Sequence, residues 1–77
     1  MTDDMAWARR LPLPERLLIA RRRAGLSQVE MAHILGVNRG TISEWENAHS
    51  MLPADKLLAW ADACNAWWIV HAPAQCV

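Results

Sequence analysis

The chain has 77 residues, with eight Lys/Arg against eight Asp/Glu, a formal net charge of zero and 53% hydrophobic side chains. That length holds one small domain and no second one, and a chain so short buries only about 60% of its unfolded surface, so its core must be efficient. The apolar content argues against a disordered tail, and the neutral balance argues against a general polyanion binder.

Residues 1–13 read as an N-terminal arm. In Leu11-Pro12-Leu13-Pro14 the prolines remove two backbone donors and disfavour helix just before each of them. Pro14 suits the first turn of a helix, where a missing N–H costs nothing. A first helix is therefore predicted from about Pro14 to Ala24, with Leu17, Leu18 and Arg21 at helical spacing and Gly25 closing it. Ser27 and Glu30 form an S-x-x-E capping box that opens a second helix. Met31, Ala32 and Leu35 make its apolar face, and Gly36 ends it. Asn38 is the predicted N-cap of a third helix. There Ile42, Trp45 and Glu46 fall on one side, with Gly40, Ser43, Glu44 and Asn47 on the other and Arg39 at the flank. His49 to Pro53 read as a loop. A fourth helix follows from Pro53 or Ala54 to Cys64, with the stripe Leu57, Trp60, Ala61 and Cys64, and Asn65 caps its end. Residues 66–71 suggest a short fifth helix and 72–77 a frayed tail. The domain proper is thus 14–71, all-α, a five-helix bundle.

Only Gly36, Val37 and Asn38 separate the second helix from the third, a tight turn that holds consecutive helices at a steep angle. Ala32 is small enough to let the two cross closely, and Val37 can plug the gap beneath the turn. The stretch Gly25-Leu26-Ser27-Gln28-x-Glu30-Met31-Ala32-x-x-Leu35-Gly36-Val37 resembles the signature of lambda-repressor-like, Cro/repressor-type (XRE) helix-turn-helix domains. Thr41-Ile42-Ser43-x-Trp45-Glu46-Asn47 is similar to that family's recognition helix. The similarity covers roughly residues 13–65. It implies a five-helix domain that binds double-stranded DNA as a homodimer and regulates transcription from the bacterial cytoplasm or nucleoid, as a small phage- or mobile-element-type repressor.

By the same resemblance, Arg39, Gly40, Ser43 and Glu44 are base-reading positions. Ser27, Gln28, Thr41 and Asn47 are phosphate-contacting or supporting positions, and Arg21 and Glu46 form an ion pair between the first and third helices. From the charge distribution, Arg22 and Arg23 are expected to line the DNA backbone, helped by Arg9 and Arg10 on the arm. Arg39 can donate two bonds to guanine, and Glu44 can accept from cytosine N4 while repelling phosphates. Gly40 removes one reading side chain and costs ~1 kcal/mol of helix propensity. Residues 14–52 carry five arginines against four glutamates, so phosphate attraction per subunit is modest.

Trp45 and Trp60 are expected in the core, as helical spacing predicts. Trp7 either packs on the body or anchors a partner. Trp67 and Trp68 are adjacent and point about 100° apart on a helix, so one enters the core and the other is an exposed aromatic or a dimer contact. His33, His49 and His71 lack ligand spacing, so no metal is expected, and no cofactor or catalytic motif is present. Cys64 is expected as a buried apolar residue and Cys76 as a loose thiol; two cysteines without CxxC spacing make no disulfide framework. No apolar run reaches membrane-spanning length, and the acidic Met1-Thr2-Asp3-Asp4 is unlike a signal peptide, so a soluble protein is expected. A rival reading keeps the fold but makes it a protein-interaction module or antitoxin that uses the Trp-rich C-terminal segment to hold a partner.

Overall fold

Pro12, at φ −56° and ψ 152°, sets the chain into α1 (Leu13–Arg23), where Pro14 stands in the first turn without breaking a hydrogen bond. The structure, a computed structural model, describes residues 7–70. His71, Cys76 and the rest of the tail, together with residues 1–6 of the arm, lie outside the described residues. Ahead of α1 a 3-10 turn spans Ala8–Arg10, and Ala8 is fully buried. This part of the segment read as an arm is therefore packed, because a methyl side chain fits closely against α1.

Helix α2 (Gln28–Leu35) starts on a completed capping box: Ser27 Oγ accepts from the Glu30 N–H at 3.0 Å, and the Ser27 N–H donates to Glu30 Oε1 at 2.8 Å. Helix α3 (Arg39–Glu46) starts at Asn38, which holds the N-cap position, but its side chain makes no capping bond. The Asn38 carbonyl already takes the Thr41 and Ile42 N–H groups, at 3.0 and 3.3 Å, which leaves the side chain dispensable. Helix α4 (Ala54–Cys64) follows Pro53.

All four helices stop in the same way. Gly25, Gly36, Ala48 and Asn65 take left-handed backbone at φ 75°, 70°, 62° and 50°. The next N–H then turns back five residues: Leu26 to Arg21 (3.1 Å), Val37 to Ala32 (2.9 Å), His49 to Glu44 (2.8 Å) and Ala66 to Ala61 (2.9 Å). These are Schellman closures, which satisfy carbonyls that a helix end would otherwise leave open.

The core draws Leu17 and Ala20 from α1, Met31, Ala32 and Leu35 from α2, Ile42 and Trp45 from α3, and Trp60 and Ala61 from α4. The Trp45 and Trp60 rings meet edge to face, with centroids 6.5 Å apart and planes at 61°. Trp60 is fully buried, and its Nε1–H donates to the Leu17 carbonyl at 3.1 Å, so the indole brings no unsatisfied donor into the core.

The short fifth helix expected over 66–71 is, within the described residues, a single 3-10 turn, Trp67–Ile69. Ala66, at φ −132° and ψ 61°, is outside helical space and stops α4 from being continued. Ile69, rather than either tryptophan, fills the core there, at 1% exposure. Trp67 remains 43% exposed, and Trp68 is half-buried against the core edge. Arg16 Nη1 donates to the Ile69 carbonyl at 3.0 Å and ties this turn to α1, and burial lowers the Arg16 pKa. Cys64, expected to be buried, is half-buried on α4. Among the described residues no helix is long and apolar enough to cross a membrane.

Candidate nucleic-acid interface

Three residues, Gly36 to Asn38, join α2 to α3. Left-handed Gly36 reverses the chain at once, and α2 packs more extensively on α3 than on any other element. Half-buried Val37 packs against the core under the turn, and Lys56 of α4 donates to the Leu35 carbonyl at 3.0 Å, which caps α2 from below. This holds α3 against the body by one side: Ile42, Trp45 and Glu46 are buried. Its other side is open. Arg39, Gly40, Glu44 and Asn47 are exposed, and Thr41 and Ser43 are half-buried. A helix carrying an exposed polar face of this kind can enter a groove as wide as the major groove of B-DNA.

Beneath that face runs a chain of charge-assisted bonds. Arg21 Nε donates to Glu46 Oε2 at 2.6 Å and Arg21 Nη2 to Glu46 Oε1 at 3.2 Å, both buried. Arg21 Nη1 reaches the Leu26 carbonyl at 2.8 Å. The Gln28 amide then bridges outward: its Nε2 donates to Glu46 Oε1 at 3.1 Å, and its Oε1 accepts from Arg39 Nη1 at 3.0 Å. The structure thus brings together Arg21, Gln28, Arg39 and Glu46, which sit on three helices. Such a pair fixes geometry more than it adds net stability, because desolvation offsets much of the attraction.

The other expected contact residues are arranged around this chain. Ser27 is exposed at the start of α2, with its hydroxyl engaged in the capping box. Arg22 and Arg23 are exposed at the end of α1. Asn47 Nδ2 donates back to the Ser43 carbonyl at 2.8 Å and to Ser43 Oγ at 3.3 Å. Ser50 Oγ donates to Glu44 Oε1 at 3.4 Å. Trp67 and Trp68 sit elsewhere, on a turn packed against α1 and α4. Sequence reasoning missed Ser50, Lys56 and the use of Gln28 as a bridge. Each acts across the chain, from 6 to 21 residues away, and no local pattern marks such a contact.

The sequence model of the helix-turn-helix family matches residues 17–66, more than half of the chain, including all of α2, α3 and α4. No curated protein and no solved structure matches it.

Proposed function

The chain belongs to the Cro/C1-type helix-turn-helix family of DNA-binding regulators, and from that membership we propose that it is a small phage- or mobile-element-type repressor that binds an inverted-repeat operator as a homodimer in the bacterial cytoplasm or nucleoid. In this reading α3 lies in the major groove while α2 crosses the phosphate backbone. Arg39, Gly40, Ser43 and Glu44 face base edges. Ser27, Gln28, Thr41, Asn47, Arg22 and Arg23 serve the backbone. The observation that carries it is the division of α3 into a buried Ile42–Trp45–Glu46 side and an exposed Arg39–Gly40–Glu44–Asn47 side.

A second reading is favoured by Trp67, a large exposed aromatic on the C-terminal turn, since tryptophan is enriched in interface anchors. It supports a homodimer contact with Trp68, or a docking point for another protein such as a toxin. Selection from a random duplex pool, at low and near-physiological salt, tests the first reading. The expected result is an enriched inverted repeat with half-sites about one helical turn apart, with sedimentation velocity showing a dimer. No enrichment by protein that circular dichroism shows to be helical overturns it. A stable complex with another protein, lost on Trp67→Ala or Trp68→Ala, then supports the second.

A further inference from the structure

We infer, resting on the placement of α3 in the major groove, that Arg39 and Glu44 specify two G·C pairs about two base steps apart in each half-site, Arg39 through the guanine of one pair and Glu44 through the cytosine of the other. Five residues along an α-helix advance about 7.5 Å and about 140° around the axis. Base pairs rise 3.4 Å along the DNA axis, so with α3 running along that axis the advance is about two base steps. Around the axis the open face runs in the order Arg39, Ser43, Asn47, Gly40, Glu44. The two charged side chains therefore flank the face, and short or absent ones fill its middle. With that middle over the centre of the groove floor, the flanks aim at base edges on its opposite sides. The guanine and the cytosine then lie on opposite strands, and one strand reads G-N-G.

The chemistry fixes the bases. A guanidinium offers only donors, and guanine presents the two acceptors O6 and N7. A carboxylate offers only acceptors; cytosine presents the N4 amino donor, whereas guanine and thymine present acceptors that repel it. Adenine sets its N7 acceptor beside its amino group and would repel the second carboxylate oxygen. Both side chains are already held: Arg39 by the Gln28 amide, itself anchored on Glu46, and Glu44 by Ser50. A held side chain loses less rotamer freedom on binding.

The test compares motifs selected from random duplexes by the wild-type chain, Arg39→Ala and Glu44→Gln. The wild-type motif should contain G-N-G on one strand of each half-site. Each pair should be preferred roughly five- to 150-fold over other bases. Arg39→Ala should erase the preference at its own position and leave the other intact. Glu44→Gln should turn the preferred cytosine into adenine, because a carboxamide pairs with adenine N6 and N7. Both changes are at exposed positions, and circular dichroism checks the fold. A wild-type motif without these two pairs overturns the inference while leaving sequence-specific binding in place. So does a Glu44→Gln chain whose motif is unchanged. The absence of any motif with folded wild-type protein removes the operator reading and this inference with it.

Discussion

Glu46 is 8% exposed, yet it accepts two bonds from Arg21 and one from Gln28. Removing it leaves a buried guanidinium facing no anion. Glu46→Ala should therefore cost about 3–5 kcal/mol in urea unfolding. Replacing both partners by apolar residues of similar volume, Arg21→Met with Glu46→Leu, should recover most of that loss. The double variant also leaves Gln28 without its anchor, so discrimination at the Arg39 base should fall although stability returns. If stability and discrimination recover together, Glu46 has no part in reading. Cys64 makes a second prediction at this scale. Burial pushes its thiol up to about 11, opposed by Arg21 and reinforced by Glu46. The folded value is above the ordinary 9.0, so stability tied to the protonated thiol is whole below about pH 9 and is lost as pH rises through about 11. In a Cys76→Ser background, iodoacetamide should modify the native chain slowly at pH 8 and the urea-unfolded chain much faster. Equal rates would contradict the burial of this thiol.

The helices end on left-handed residues, and at two of these the residue type decides the energy. Ala48 carries φ 62° with a Cβ, which costs about 1–2 kcal/mol against the right-handed conformation. Ala48→Gly removes that strain but adds unfolded-chain entropy of about 0.4–1 kcal/mol. The net expectation is a gain between zero and about 1.6 kcal/mol, read as a higher melting temperature. Gly36→Ala should lose about 1 kcal/mol in the same assay, although a Cβ at Gly36 would meet nothing within 4 Å, because the penalty lies in the backbone. The same contrast shows what was legible in the sequence. Gly25, Gly36 and Asn65 announce left-handed stops by their chemistry, and Ser27 with Glu30 announces a start. Ala48 announces nothing, so the closure of α3 was invisible. The open face of α3 could be read from helical periodicity alone, because burial on one side implies exposure on the other. Its tethers could not, since the Gln28 and Ser50 contacts exist only after the chain has folded back. The C-terminal turn misled for a related reason: Ala66 to Val70 look helical locally, but Arg16, 53 residues away from Ile69, helps set their path.

The chain carries no net charge, and its described residues span Cα extents of 36 × 24 × 18 Å, so affinity for DNA has to come from few cations. If the chain binds as the proposed dimer and Arg22 and Arg23 of each protomer neutralise one phosphate apiece, counterions leave at about four places, and log K against log salt should have a slope near −4. A slope steeper than about −7, measured by fluorescence anisotropy on the selected site, would bring in cations beyond these four. The bond from Gln28 to Arg39 has a consequence for descent. Among the described residues the Glu44 side chain leans on Ser50, a loop residue, so on the proposed reading a lineage should drift to a new base at that position by a single codon change. Arg39 is tied through Gln28 to the buried pair, so a new residue at 39 strands the amide at 28. Across divergent descendants these two positions should change together, while position 44 varies alone.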